Sequence, residues 1–198
     1  MTENLFPVTH LSRTAKEKLL GQRACVLWLT GLSGSGKTTL AATLEQHLHA
    51  SGYLTQILDG DTLRTGLCAG LTFSADDRTE NVRRTAEVAK LFVEAGVIVI
   101  CTLISPTRAG RALARSVVGV DDFYEVFVNA PLEVCEARDV KGLYAKALRG
   151  ELSNFTGVSA PYEPPYLPDL EICTAETPLT ACADALFTFA MEKCTQKP

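Results

Sequence analysis

Short apolar runs alternate along this chain with segments whose apolar residues recur every three or four positions. Each short run has the length and the Val, Ile and Leu content of a strand that is buried on both faces. The segments between them have a helical period, as in the stripe of Leu40, Leu44 and Leu48. Strands that alternate with helices predict an α/β fold, with a parallel sheet covered by helices on both faces. The five predicted strands are residues 25–29, 54–58, 97–103, 123–128 and 170–173.

Other segments depart from this alternation or end it. Residues 139–168 are rich in Gly, Pro and Tyr, and a stretch of this length in a compact domain is typical of a lid, which we predict here. Residues 1–20 predict an N-terminal arm or a short helix. Thr177 is expected to be the N-cap of a last helix that has Pro178 in its first turn and ends near Ala190. At about 150 residues per domain, the chain of 198 residues predicts a single domain.

Composition narrows the classes of function. Hydrophobic residues make up 46% of the chain, charged residues make up 21%, and the net charge is −4. This balance indicates a folded protein without a general nucleic-acid or membrane-binding surface, so an anionic ligand needs a local cluster of donors. The longest apolar run, residues 97–104, is too short to cross a bilayer, and the first residues lack the apolar stretch of a signal peptide. The seven cysteines contain no CxxC pair, which argues against disulfides and zinc and predicts a cytoplasmic protein.

A glycine-rich phosphate-binding motif follows the first predicted strand. Residues 31–38 read GLSGSGKT and match GxxxxGK[ST] in the strand–loop–helix context that the motif requires. Backbone amides of such a loop hold phosphate oxygens, Lys37 can reach the β- and γ-phosphates of ATP, and the Thr38 hydroxyl can ligate Mg²⁺. The motif predicts a nucleoside triphosphate site without choosing between a kinase, a GTPase and a motor. The predicted nucleotide-binding residues are Gly31, Leu32, Ser33, Gly34, Ser35, Gly36, Lys37, Thr38 and Thr39.

Two acidic residues come directly after the second predicted strand. Asp59 and Asp61 are expected at the carboxyl edge of the parallel sheet, beside the phosphate loop. One carboxylate could order the water shell of Mg²⁺ and the other could accept the proton of an attacking hydroxyl; we favour Asp61 as this base. No NKxD motif is present and the most apolar strand ends without an acid, so a GTPase and a motor are both disfavoured. The three histidines show no metal-binding spacing.

An aromatic ring and several cations predict an anionic second substrate. Phe73, Arg78 and Asn81 lie at the start of a predicted helix, where arginines oppose the helix dipole and are therefore expected to bind an anion. Arg64 precedes them, and the predicted lid contributes Lys141. Together these residues favour an acceptor that is itself anionic and nucleotide-like.

The lid also contributes an aromatic ring, that of Phe155. A flat base stacked between Phe73 and Phe155 would gain about 1–3 kcal/mol on each face, although Phe155 could instead only pack the lid. Ser105 follows the strand at 97–103, which we take as the central strand, and is expected to point into the crevice. Arg108, Arg111 and Arg115 form a second basic group after residues 104–106, which could bind an anion or could simply lie on an exposed helix.

These blocks together resemble a known family. GLSGSGKTT, LDGDTLR, FSADDRTENVRR, ISPTR, RDVKGLYAKA and FTGVSAPYEPP occur in the order seen in adenylylsulfate kinases, over about residues 19–165. The phosphate loop alone is generic, whereas the whole set is specific. The resemblance implies a P-loop fold and transfer of the ATP γ-phosphoryl group to the 3′-hydroxyl of adenosine 5′-phosphosulfate during sulfate activation. It also implies a homodimer and a functional link to ATP sulfurylase.

The resemblance implies roles for single residues. Asp59 and Asp61 would serve the metal shell and the 3′-hydroxyl, and Phe73 and Phe155 would enclose the adenine of adenylylsulfate. The family pattern marks Ser105 as a phosphoserine, but no base lies beside it in sequence, so we expect Ser105 to bind or orient substrate. The implied catalytic residues are Lys37, Asp59, Asp61 and Ser105, and the implied substrate-binding residues are Arg64, Phe73, Arg78, Asn81, Ile104, Ser105, Lys141 and Phe155.

A few positions differ from the common family pattern, although none of them removes a proposed catalytic group. They are Thr65, Cys68 and Gly70 after Arg64, Leu103 before Ile104, and Val140 before Lys141. Two alternatives stay open from the sequence. One is another small-molecule kinase of the same fold, and the other is a non-catalytic nucleotide-binding module that regulates a partner such as ATP sulfurylase.

Overall fold

A five-stranded sheet forms the centre of the part of the chain that the computed structural model describes, residues 10–195. All of its neighbouring strands run parallel. The strands are β1 (Val26–Thr30), β2 (Thr55–Asp59), β3 (Ile98–Thr102), β4 (Phe123–Asn129) and β5 (Leu170–Cys173). Their order across the sheet is β2-β3-β1-β4-β5. The predicted α/β fold with a five-stranded parallel sheet is confirmed, and the strand ends differ from the predicted ones by no more than one residue.

Helices cover both faces of this sheet because its strands are apolar on both faces. In β1, Leu27 and Leu29 enter one core while Val26 and Trp28 enter the other, as the alternation of side chains along a strand requires. The helices are α1 (Arg13–Leu20), α2 (Lys37–Ala50), α3 (Gly60–Arg64), α4 (Ala75–Glu94), α5 (Arg108–Val118), α6 (Leu132–Arg138), α7 (Leu143–Leu148) and α8 (Leu179–Cys194). Helices α2 and α8 contribute to the first core, and α4 and α5 contribute to the second.

Three predictions about strand and helix placement were wrong. The central strand is β1, and β3 lies between β2 and β1, so Ser105 does not follow the middle of the sheet. The last helix begins at Leu179 with Pro178 as its N-cap, because Pro178 has an extended ψ of 146°, and Thr177 therefore lies outside the cap position. This helix ends at Cys194 rather than near Ala190, because Ala190 and Cys194 continue its buried stripe.

The N-terminal segment contains a short helix, which was one of the two predicted possibilities, the other being an arm. Helix α1 is capped by the Ser12 hydroxyl, which accepts from the Ala15 amide. Arg13 anchors the helix to the sheet through an ion pair with Asp122 and a 2.7 Å hydrogen bond to the Ala24 carbonyl. The predicted arm also included residues 1–9, which lie outside the described residues.

The predicted lid at 139–168 contains one helix, α7, and then irregular backbone. Between Arg149 and Pro168, the only regular pairing is an isolated bridge that joins Thr156 to Ala160. Within residues 10–195, no helix has both the length and the apolar character that crossing a bilayer would require.

Candidate active site

The phosphate loop connects the end of β1 to the start of α2, in the context that its motif predicts. Gly31 has φ 150°, and a Cβ there would lie 2.4 Å from the Val128 carbonyl oxygen. Gly34 has φ 77°, and a Cβ there would lie 3.0 Å from the Cys135 carbonyl oxygen. These two glycines therefore let the loop approach β4 and α6 more closely than any side chain would allow.

Lys37 lies folded back on this loop. Its Nζ donates to the carbonyls of Gly31 at 2.9 Å and Leu32 at 2.7 Å. Burial lowers the pKa of Lys37 to about 8, because a buried ammonium loses hydration. The lysine is thus held where phosphates would bind, with a charge that a phosphate would stabilise.

The two acidic residues after β2 lie in different environments. Asp59 is the N-cap of α3, and its carboxylate accepts from the amides of Asp61 at 3.1 Å and Thr62 at 3.2 Å. It also accepts from the hydroxyls of Thr102 at 2.7 Å and Thr38 at 3.2 Å. Burial raises the pKa of Asp59, but these hydrogen bonds outweigh burial and leave the pKa below its usual value. Asp59 is therefore a fixed carboxylate beside the threonine of the phosphate loop.

Asp61 is far more accessible, since its side chain is 70% exposed. Its carboxylate forms an ion pair with Lys141, which comes from the predicted lid. Of the two carboxylates, Asp61 is thus the one that an incoming hydroxyl could reach, once the lysine moves away.

The donor set beside the loop suits Mg²⁺. Thr38 and Asp59 offer oxygen atoms only 3.2 Å apart, and Mg²⁺ in phosphoryl-transfer sites binds few protein oxygens and completes its shell with phosphates and water. Among residues 10–195, no group of three or more His, Cys, Asp or Glu side chains is arranged to hold a metal by itself. The arrangement fits a metal that binds together with a nucleotide.

The cations and ring predicted for the acceptor lie together beyond Asp61. The Arg64 guanidinium stacks on the Phe73 ring at 4.1 Å from the ring centroid, and that of Arg78 lies 5.5 Å from the same centroid. Phe73 is 53% exposed, so its ring is available to a ligand if Arg64 moves. Arg78 also donates to the Phe73 carbonyl at 3.0 Å and to the Asn154 carbonyl, which ties α4 to the lid.

Phe155 takes part in packing as well as lining the site. Its ring meets that of Tyr144 edge to face, with 5.0 Å between the centroids and an interplanar angle of 85°. Tyr144 is buried, and its hydroxyl donates to the Ser33 carbonyl of the phosphate loop at 2.9 Å. Phe155 can therefore serve both predicted uses, because its ring can pack the lid against Tyr144 and still offer a surface to a base in the cavity.

Ser105 is a buried residue in the wall of the site, and its hydroxyl has hydrogen-bond partners. Its hydroxyl lies 3.1 Å from Trp28 Nε1, which donates to it, and 3.0 Å from the Thr30 hydroxyl. Thr30 also donates to the Ile104 carbonyl at 2.8 Å, and the Tyr162 hydroxyl lies 3.0 Å from Thr30. Ser105 has φ 38°, a conformation that is unfavourable for a side chain and persists only where the surroundings enforce it.

One cavity of about 860 Å³ contains most of the predicted residues. Its lining includes Ser33, Gly34, Gly36, Lys37, Thr38, Thr39, Asp59, Asp61, Arg64, Phe73, Arg78, Asn81, Ile104, Ser105, Lys141 and Phe155. Gly31, Leu32 and Ser35 shape the loop without being among the lining residues. The arginines of α5 do not line the cavity: Arg115 pairs with Asp169, and Arg108 stacks on Tyr166. Arg111 is buried rather than exposed, because it pairs with Glu125 and donates to the Ser105 carbonyl at 2.8 Å.

Several residues of the site were not predicted from the sequence. Arg138 donates to the Gly34 carbonyl at 3.2 Å and to the Thr174 carbonyl at 2.7 Å, and Thr174 donates to the Ser35 carbonyl at 2.8 Å. Thr102, Trp28 and Tyr144 were also missed. Thr102 could have been predicted from its position at the end of a buried strand, the same signal that identified Asp59. The other missed residues show no local signal in the sequence.

Comparison with known proteins identifies the family of the chain. The sequence profile of the family described as adenylylsulphate kinase matches residues 23–173. An adenylyl-sulfate kinase of Phocaeicola vulgatus is 52% identical over 191 residues, which cover 96% of this chain and 94% of that protein. One of Bacteroides thetaiotaomicron is 51% identical over 196 residues, which cover 98% of each chain.

A solved structure is similar in fold as well. The Mycobacterium tuberculosis APS kinase CysC in complex with AMPPNP and APS has a TM-score of 0.81 and 45% identity, and the match covers 84% of this chain and 97% of that one. The fold and the site thus define a P-loop kinase. Since the family profile covers most of the chain and relatives exceed half identity, the chain belongs to the adenylylsulfate kinase family.

Proposed function

We propose that this chain is an ATP-dependent adenylylsulfate kinase, which transfers the γ-phosphoryl group of ATP to the 3′-hydroxyl of adenosine 5′-phosphosulfate. The products are ADP and 3′-phosphoadenosine 5′-phosphosulfate, the activated form of sulfate. The observation that carries this proposal is the single cavity that joins the phosphate loop, Asp61 and the cation-rich surface around Phe73. A donor and an anionic, base-containing acceptor would meet there, as in-line transfer requires.

Asp61 is our candidate for the base that accepts the proton of the 3′-hydroxyl. The carboxylate of Asp59 already accepts hydrogen bonds from two amides and two hydroxyls, which leaves it little capacity to take a proton. The ion pair of Asp61 with Lys141 suggests how the base becomes free. An anionic acceptor would compete for the ammonium of Lys141 and release the carboxylate beside the sugar.

The charge that develops on the phosphates is balanced from the other side of the cavity. Lys37 would move its Nζ from the loop carbonyls to the phosphate oxygens, where an anion raises its lowered pKa again. When bound, Mg²⁺ would be held by Thr38, with Asp59 ordering its water shell, and would supply further charge neutralisation. Closure of the lid that carries Lys141 and Phe155 would exclude water from the transfer.

For Ser105, the contacts support a positioning role. Its hydroxyl forms hydrogen bonds with Trp28 and Thr30, and none of its hydrogen-bond partners within residues 10–195 is a carboxylate or an imidazole. Direct transfer between the bound substrates needs no phosphorylated side chain. We propose that Ser105 fixes the backbone next to Ile104, along the acceptor side of the cavity.

The quaternary structure and surroundings of the enzyme are also proposals. We propose a homodimer and a metabolic link to ATP sulfurylase, as the family implies, and sedimentation of the purified chain tests the first. A cytoplasmic location is supported by the seven cysteines, all of which are free thiols. We also propose that the chain is one kinase domain.

The proposed activity is tested by ADP release in a coupled assay with adenylylsulfate as acceptor. Release is expected to exceed that with shikimate, gluconate or nucleosides by orders of magnitude and to vanish in Lys37→Ala. Equal rates with all acceptors would contradict the specific activity and favour another small-molecule kinase. Binding of AMPPNP without ADP release from ATP, whatever the acceptor, would indicate a non-catalytic nucleotide-binding module.

A further inference from the structure

Two hydroxyl groups hold carbonyls of the phosphate loop. The Tyr144 hydroxyl donates to the Ser33 carbonyl at 2.9 Å, and the Thr174 hydroxyl donates to the Ser35 carbonyl at 2.8 Å. Both donors lie far beyond the loop in the chain, Tyr144 in α7 and Thr174 directly after β5. Neither contact is part of the phosphate-binding motif.

These contacts orient the amides that a phosphate would use. All peptide bonds of the described residues are trans, so the carbonyl of one residue and the amide of the next point in opposite directions. A Ser33 carbonyl held by Tyr144 therefore fixes the direction of the Gly34 amide, and the Ser35 carbonyl held by Thr174 does the same for the Gly36 amide. Backbone amides of such loops bind phosphate oxygens, so their direction affects nucleotide binding.

Tyr144 differs from Thr174 in having a ring, and this ring makes a second contact. Its ring packs edge to face with that of Phe155, with 5.0 Å between the ring centroids. Tyr144 itself is 2% exposed, and the Asp139 carboxylate accepts from its backbone amide at 3.0 Å, so its position is fixed. Burial raises the pKa of Tyr144, which keeps the hydroxyl protonated as a donor.

We propose that Tyr144 is a positioning residue that links the two substrate sites. Its hydroxyl sets the shape of the phosphate loop through Ser33, and its ring sets the position of Phe155. The hydroxyl contacts the phosphate loop and the ring contacts Phe155, so each half of the side chain affects the binding of a different substrate. The claim for the hydroxyl rests only on nucleotide binding, whereas the claim for the ring rests on the proposed function.

Three variants separate the two halves. Tyr144→Phe removes the hydroxyl and keeps the ring, and Tyr144→Met removes both. Thr174→Val is the matched control, because it removes a hydrogen bond to the same loop without altering a ring that packs on Phe155. For each we would measure the Kd of AMPPNP with Mg²⁺ by calorimetry and the KM of adenylylsulfate by ADP release.

We expect loss of the hydroxyl to change the AMPPNP Kd and loss of the ring to change the acceptor KM. Tyr144→Phe and Thr174→Val weaken AMPPNP binding about threefold to tenfold, the effect of one lost hydrogen bond, and leave the acceptor KM within about twofold. Tyr144→Met weakens AMPPNP binding to the same degree and raises the acceptor KM at least about threefold beyond the Thr174→Val value. A merely structural loss would reduce the active fraction and the melting temperature without moving either constant selectively.

Two results would overturn the proposal. Unchanged AMPPNP binding in Tyr144→Phe would remove the role of the hydroxyl, and an acceptor KM in Tyr144→Met equal to that of Tyr144→Phe would remove the role of the ring. If Tyr144→Met does not fold, Tyr144→Leu replaces it, and Tyr144→Phe alone still decides the first claim. A wild-type chain that binds AMPPNP but does not phosphorylate adenylylsulfate would instead contradict the proposed function.

Discussion

Thr102 and Asp59 lie opposite each other at the ends of two adjacent parallel strands, and the Thr102 hydroxyl donates to the Asp59 carboxylate at 2.7 Å. The residues are 43 positions apart in the chain. They meet because neighbouring parallel strands bring their carboxyl ends to the same edge of the sheet. This contact fixes the carboxylate that also accepts from Thr38 in the phosphate loop.

Replacing Thr102 by Val is expected to raise the pKa of Asp59, because the variant removes a hydrogen bond to the ionised carboxylate. A carbon-detected NMR titration of the Asp59 carboxyl group measures this, and Thr102→Ser should titrate like the wild type. The lowered pKa stabilises the fold above the pKa of the unfolded chain and ceases to do so as the pH falls through the folded value. The loss of unfolding free energy in Thr102→Val should therefore be largest near neutral pH and shrink below about pH 4. An unshifted titration would contradict this account.

The two carboxylates after β2 should give different kinetic effects. Asp61→Asn is expected to lower kcat by about 10²–10⁴, the usual contribution of a general base, with smaller changes in both KM values. Asp59→Asn is expected mainly to raise the Mg²⁺ concentration that gives half-maximal rate, because Asp59 adjoins Thr38. Steady-state rates over a range of Mg²⁺ concentrations distinguish them. The reverse pattern would exchange the two assignments.

Nucleotide affinity should depend on the protonation of Lys37. Its pKa is lowered to about 8 by burial, so the free enzyme loses this charge as the pH rises through that value. Bound phosphates favour the charged form, so binding of AMPPNP should take up a proton increasingly above about pH 8, and its affinity should fall there. Calorimetry in buffers of different ionisation enthalpy measures the uptake. Proton uptake that is unchanged in Lys37→Met would contradict the assignment.

Ser105→Ala should keep substantial turnover. The variant loses hydrogen bonds to Trp28 and Thr30, and one or two neutral hydrogen bonds correspond to a change of about tenfold or less in activity. Its melting temperature should fall, because the Trp28 indole N–H loses its partner. A loss of turnover beyond about a thousandfold, in a folded variant, would instead support an obligatory phosphoserine.

Phe155→Ala should raise the KM of adenylylsulfate much more than that of ATP. Loss of one stacking face is worth about 1–3 kcal/mol, which corresponds to about fivefold to more than a hundredfold. Tyr166→Ala is a control in the same segment, since Tyr166 is 79% exposed and is not among the residues that line the cavity. Equal increases in both KM values would reject the stacking role.

Much of the fold and the nucleotide half of the site could be predicted because their signals are local. Strands appear as apolar runs, and the phosphate loop depends on residues that are adjacent in the chain, including the glycine that approaches Val128. Asp59 and Asp61 could be predicted from their place after a strand. The N-cap at Pro178 was missed because cap identity depends on one ψ angle, which the residue types at Thr177 and Pro178 leave open.

The sequence by itself determined the fold class, the phosphate loop and the set of charged and aromatic groups around it, because periodicity and motif spacing are properties of neighbouring residues. Only the tertiary structure decided that β1 is the central strand, that Lys141 pairs with Asp61, and that Tyr144 joins Ser33 to Phe155. These relationships join residues that are far apart in the chain. They follow from strand order and from the packing of the lid, which no local pattern of side chains specifies.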